Sequence, residues 1–161
     1  MDRTGHGAPQ AVNVGQSKPE DESATEDSSK LQLGALFSEN AQALSTSELK
    51  LIMDRVVQSR KEKQGNIELS PVTQKTIEYV NRFYVFDNVE AMDQLRFSLA
   101  NAGMHEFEVG ALMNLCPDSA DEARALVMSL ENIKEEREDL ADDGRLQKLL
   151  DELRSYRATL R

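Results

Sequence analysis

A chain of 161 residues is long enough for one domain with a real core plus tails. Hydrophobic residues make up 39% and charged residues 30%, more charge than an average domain carries, so part of the chain is expected to be solvated or disordered. The formal net charge of -10 and a pI near 4.7 repel phosphate, which argues against non-specific nucleic-acid binding by this chain alone.

The single cysteine, Cys116, excludes an intrachain disulfide and fits a reducing compartment. No apolar run reaches the roughly 18 residues of a membrane span. The N-terminal stretch MDRTGHGAPQAVNVG lacks the apolar core of a secretory signal. Tryptophan is absent and aromatics are 5%, so the core must be built from Leu, Val, Ile, Met and a few Phe.

Residues 1–30, with SKPEDESATEDSSK at their end, hold almost no large apolar side chain and are expected to form a disordered acidic tail. Residues 31–68 are expected to be a partner-binding segment. Leu31 and Leu33 alternate about Gln32, and Gly34 ends the run. Either this is an edge strand added to the sheet of another polypeptide, or it is a loop with two leucines tucked under a helix. Ser45 and Glu48 then form a capping box flanked by Leu44 and Leu49. Leu49, Ile52, Met53, Val56 and Val57 follow at i, i+3, i+4, i+7 and i+8, one apolar face of a helix set apart from the rest. Lys and Arg in its last turns and Gly65 end it, and a charged connection runs to about Glu68.

Residues 69–161 are expected to be a helical bundle. Ser70-Pro71 starts a helix carrying Val72, Ile77, Val80, Phe83, Tyr84, Val85 and Phe86 over more than one face, so it is expected to be covered on two sides. Arg82 beside the RFYVF aromatics admits base stacking, but core packing is the reading the acidic surroundings favour. Asn88 caps a helix with Met92, Leu95 and Leu99. The next helix begins near Met104 or His105 and carries Phe107, Val109, Ala111, Leu112, Met113 and Cys116. Gly110 inside it costs about 1 kcal/mol against Ala, and a close helix crossing is the expected reason. Pro117 ends that helix and Ser119 caps another with Ala123, Leu126, Val127 and Leu130. ENIKEEREDLADDGR is expected to be a loop or a solvated helix. A last helix carries Leu146, Leu149, Leu150 and Leu153, with Tyr156 and Leu160 extending it.

Catalysis needs converging groups, and these residues do not supply them. His6 falls in the tail. His105 at a helix start reads as a surface or capping residue, and Cys116, at the end of an apolar run, as a buried structural thiol. One ordered His and one Cys do not make a zinc site, no phosphate-binding or nucleophile-elbow loop is present, and the acidic runs lack the EF-hand pattern. No enzyme, metal or cofactor site is expected. The residues alone point to an all-α interaction module.

The segment Asn114 to Glu131, NLCPDSADEARALVMSLE, resembles the family of the fourth subunit of eukaryotic RNA polymerase II. So do HEFEVGALMNL upstream of it, TIEYVNRFYVFDN with Arg82, Phe83, Phe86 and Asn88, ALSTSELKLIMDRVVQSR, and LQLG. The likeness covers roughly residues 31–160, while residues 1–30 and about 132–145 depart from it. The resemblance implies an HRDC-like helical bundle and a non-catalytic nuclear stalk subunit, with shuttling to the cytoplasm implied by family links to mRNA export and decay. It implies a heterodimer with the seventh subunit, which has an OB-fold, and docking of the pair on the polymerase core. It further implies help in initiation and nascent-RNA contact mainly through the partner. The equivalent subunit of another nuclear polymerase, or a free-standing HRDC-like nucleic-acid-binding module, are the competing readings. On this basis Leu31, Leu33, Leu49, Ile52, Met53, Val56, Phe83 and Phe86 are the expected partner-binding residues.

Overall fold

A computed structural model describes residues 26–34, 37, 41–131 and 137–157. Residues 1–25 of the acidic stretch, residues 132–136 of the charged stretch, His6 and Leu160 lie outside the described residues. The fold is all-α, and the described residues contain no strand beyond one isolated antiparallel bridge, Asp27 to Gln32.

Among the described residues seven α-helices follow in order: α1 Thr46–Gln64, α2 Pro71–Phe83, α3 Val89–Asn101, α4 Glu106–Leu115, α5 Ala120–Leu126, α6 Glu138–Ala141 and α7 Asp143–Ser155. Their starts follow local chemistry. Ser45, Ser70, Asn88 and Ser119 each accept a bond from a backbone N–H in the first turn, a contact worth about 1 kcal/mol apiece. Pro71 takes the first position of α2, where a missing N–H costs nothing. His105 caps α4 with its ring Nδ1, and Glu108 returns the bond to the His105 backbone at 2.7 Å.

One core joins α3, α4, α5, α6 and α7. Phe86, Met92, Leu95, Leu99, Leu112, Met113, Leu130, Leu140, Leu146, Leu150 and Leu153 are all fully buried in it. Each such side chain contributes about 1.5–3 kcal/mol on leaving water. The helix expected from Ser119 to Leu130 is shorter than its apolar spacing implied. Val127 leaves the helical region at φ -122, ψ 82, and a 3-10 turn Met128–Leu130 follows. The break lets Ser129 turn inward and donate to the buried Glu108 carboxylate at 2.7 Å, with Arg137 at 2.6 Å on its other oxygen. The short α6 places Leu140 in the core, so this end of the charged stretch is neither loop nor wholly solvated helix.

Cys116 ends α4 in the left-handed region at φ 47, ψ 57, where a side chain costs about 1–2 kcal/mol. Its N–H donates to the Leu112 carbonyl at 2.8 Å, its thiol is buried, and Pro117 behind it cannot continue a helix. Gly110 does mark a close approach, but not of another helix. A Cβ there would lie 3.0 Å from the Ala43 Cβ, in the extended segment that leads into α1.

Helices α1 and α2 form an antiparallel hairpin. The Ser47 hydroxyl, at the start of α1, accepts from the N–H groups of Val85 and Phe86 at 2.9 and 3.0 Å, just beyond the end of α2. The Lys50 ammonium lies 5.2 Å from the Tyr84 ring. The helix expected to stand apart therefore packs on α2 and α3.

Candidate partner-binding surface

The apolar stripe of α1 is divided by its surroundings. Leu49, Met53 and Val57 are half-buried, whereas Ile52 and Val56 are 46% and 43% exposed. What α1 turns to the core is Leu51, a residue off that stripe, together with the buried Ser47 hydroxyl. Periodicity singled out the stripe but could not show that a polar residue and a lone leucine make the inward face.

The mounting of α1 is polar and concentrated at its start. The Arg96 guanidinium, on α3, bonds both Glu48 carboxylate oxygens at 2.7 and 2.8 Å. It also donates to Glu106 at the start of α4 at 2.7 Å and to the Ala43 carbonyl at 2.7 Å. One planar group thus ties the lead-in to α1, its first turn and α4 together, a geometry that lysine cannot reproduce. Burial pushes the Glu48 carboxyl up, but Arg96 and the Ser45 backbone and hydroxyl outweigh it and hold the group below the 4.5 of a free glutamate. The hydrogen bonds that Arg96 donates to Glu48 raise it above its ordinary value, against the opposing effect of burial. Asn114 adds a second tie, its side-chain oxygen accepting from Thr46 N–H at 2.7 Å. This assigns the Asn of the Asn114-to-Pro117 run to holding α1.

A second exposed stripe lies on α2. Val72, Tyr79 and Phe83 share one face at i, i+7 and i+11 and are 74%, 58% and 50% exposed. The Tyr79 and Phe83 rings sit 4.8 Å apart, and the Arg82 guanidinium lies 5.4 Å from the Phe83 ring. The RFYVF run therefore splits. Phe86 is a core residue at 1% exposure and offers nothing to a partner in this fold, because it turns inward behind the bonds to Ser47. Phe83, read as core from the surrounding charge and as a partner contact from the resemblance, is on the surface. The spacing of Val72, Tyr79 and Phe83 was the available signal for this stripe.

Leu31 and Leu33 are half-buried and, with Phe37, line an open cleft over the start of α4 beside Met104, His105 and Glu106. The Phe37 and His105 rings are 5.6 Å apart. The Gln32 N–H and carbonyl both bond Asp27 within the chain, at 3.0 and 2.8 Å. The Asp27 carboxyl is pushed down to about 2, first by its hydrogen bond to Lys30 and then by Ser29. Residues 26–30, read as the end of the tail, thus form a capped turn.

The structure brings Leu49, Ile52, Met53 and Val56 onto one helix, places Leu31 and Leu33 at α4, Phe83 on α2, and Phe86 in the core. The groups with most chemical potential are used structurally. Burial pushes the Cys116 thiol up, Asp118 adds to the rise, and Arg157 and Arg154 only partly offset it, which keeps it a protonated, unreactive thiol. Among the described residues, no three His, Cys, Asp or Glu side chains converge as a metal site would require, and no helix is long and apolar enough to cross a membrane.

Comparison with known proteins gives a consistent result. The sequence profile of the family described as RNA polymerase Rpb4 matches residues 43–157. The chain is 38% identical over 133 residues to the DNA-directed RNA polymerase II subunit rpb4 of Schizosaccharomyces pombe, covering 82% of this chain and 92% of that one. It is 33% identical over 131 residues to DNA-directed RNA polymerase II subunit 4 of Arabidopsis thaliana, covering 80% and 91%. A shorter match, 36% over 83 residues, links it to the rpb4 subunit of Dictyostelium discoideum, covering 52% and 48%.

Proposed function

The chain belongs to the RNA polymerase Rpb4 family, and on that premise we propose that it is a non-catalytic subunit of DNA-directed RNA polymerase II, acting in the nucleus with shuttling to the cytoplasm. The identity of its relatives as polymerase II subunits favours polymerase II over another nuclear polymerase. The non-catalytic reading is supported by the use of His105 as a helix cap and of Cys116 as a buried helix end. The partner in this reading is the OB-fold seventh subunit. The pair docks on the polymerase core, assists initiation and handles nascent RNA mainly through that partner, as the chain's net charge of -10 favours. The bundle from α2 to α7 is the HRDC-like part.

The observation that carries the interface is the pair Ile52 and Val56. Both are exposed aliphatic side chains on a helix whose start is fixed by Arg96 and Asn114, so the stripe is presented at a set angle and stays exposed among the described residues. A preset apolar stripe of this kind suits insertion into a partner's groove. Leu49, Met53, Leu31 and Leu33 extend the contact, and Phe83 flanks it on α2. Co-expression of the Ile52→Asp/Val56→Asp chain with the seventh subunit tests this: co-purification should be lost while helical content stays the same. Retention of the complex at wild-type yield would sink the interface. Mass spectrometry of a gentle pull-down of the wild-type chain should find the largest subunit of polymerase II, and finding another polymerase instead would overturn the assignment.

A further inference from the structure

The segment read as a strand for the partner is not extended here. Leu31 stands at φ 57, ψ 27, in the left-handed region, whereas a strand needs φ far on the negative side. The N–H and carbonyl of one strand residue point to the same edge, and both of these groups on Gln32 are engaged by Asp27. That edge is closed. The loop is held from within: the Asp27 carboxylate accepts from the Ser29 N–H at 3.0 Å and hydroxyl at 2.6 Å, and pairs with Lys30 at 2.8 Å. It is held from without as well. The turn Ser28–Lys30 packs on the turn Met128–Leu130, and Leu31 and Leu33 lie over the start of α4.

We propose that residues 27–32 form an intramolecular clasp that opens before Leu31 to Leu33 pairs with the sheet of the seventh subunit. The free chain and the partner then compete for the same backbone groups of Gln32. The inference rests on the proposed contact of Leu31 and Leu33 with that subunit, taken in the edge-strand form that their alternation about Gln32 allows. Its consequence is quantitative: the apparent dissociation constant is the intrinsic one divided by the fraction of chains with the clasp open. Changes that close the clasp weaken the complex, and changes that open it tighten the complex, without touching the contact itself.

Two variants of the full chain test this in opposite directions. Residues opposed in a hydrogen-bonded antiparallel pair stand about 5.5 Å apart at Cα, within disulfide reach. Asp27→Cys/Gln32→Cys can therefore be locked by oxidation, with the buried Cys116 protected. The oxidised protein should bind the seventh subunit at least about tenfold more weakly than the same protein reduced. Asp27→Ala should bind about threefold more tightly than wild type, with faster amide exchange at Gln32 in the free chain. Equal affinity of the oxidised and reduced forms, with wild type binding normally, overturns the clasp alone, as does weaker binding by Asp27→Ala. A wild-type chain that does not bind the seventh subunit overturns the pairing reading and the clasp with it.

Discussion

Helices α1 and α4 show two ways of holding a helix in place. The 10 residues of α4 include five that are fully buried, Glu108, Val109, Gly110, Leu112 and Met113. The 19 residues of α1 include one, Ser47. Apart from Glu108, which is bonded to Ser129 and Arg137, helix α4 is held along its length by removal of apolar surface from water, which is insensitive to direction. Helix α1 is held at its start by directional bonds to Arg96, Asn114 and the loop after α2, which fix an angle at small expense of surface. A helix mounted in the second way keeps its apolar residues available. The contrast therefore separates the part of the chain that makes the fold from the part that the fold presents.

The largest expected effect attacks burial. Leu112→Ala should lower stability to urea by about 2–5 kcal/mol, because a core this dense closes poorly over a deleted side chain. A loss below about 1 kcal/mol would break the claim that α4 is held by packing.

The next effect attacks the polar mount. Arg96→Met removes the partner of Glu48 and the donor to Ala43, and should cost about 1–3 kcal/mol, with amide exchange rising most in the first turns of α1. Its sign with pH follows from the depressed Glu48. The stability this pair contributes is fully present above 4.5, the value of a free glutamate, and is lost as pH falls below that through the lower folded value. The difference between wild type and Arg96→Met should therefore shrink on acidification below pH 4.5. A difference that stays constant with pH would show that Arg96 acts by packing its stem.

Smaller again is Gly110→Ala. Helix propensity alone would stabilise by about 1 kcal/mol. The new methyl would stand 3.0 Å from the Ala43 Cβ, and overpacking of about 1–3 kcal/mol outweighs that gain. A net loss near 1 kcal/mol is expected, with recovery in the Ala43→Gly/Gly110→Ala double variant. Stabilisation by the single variant would show that the lead-in to α1 moves freely over α4.

The smallest effect on folding belongs to the presented stripe. Ile52→Ala should change stability by less than about 0.5 kcal/mol, as surface substitutions do. A loss above about 1.5 kcal/mol would mean that the stripe is part of the fold, and the contrast between the two helices would fail.

Much of the architecture was legible because it is local. The caps at Ser45, Ser70, Asn88 and Ser119, the stop at Pro117 and the spacing of Leu146, Leu150 and Leu153 each act within one or two turns, so residue order carries them. What escaped is long-range. Arg96 meets Glu48 across 48 positions and Gly110 meets Ala43, and nothing in the spacing near either residue records its partner. The break at Val127 was hidden because Leu130 sits at helical spacing yet reaches the core from a 3-10 turn. Glu108 looked like an ordinary first-turn acid, since its burial depends on Ser129 and Arg137, which arrive from 21 and 29 residues away. For the candidate surface, the α1 stripe was readable by periodicity. The burial of Phe86 was not, because it depends on the bonds that the Val85 and Phe86 N–H groups donate to Ser47, 38 and 39 positions away.

The end of α4 gives the chain a built-in clock. Cys116 is the sole thiol, it is buried, and burial keeps it protonated, so a thiol reagent reaches it only when the α4–α5 junction opens. The rate of its labelling in the unaltered protein therefore times the opening of the bundle without any introduced probe. Timed in the presence and absence of the seventh subunit, the same atom would report whether assembly slows that opening or leaves it to the bundle alone.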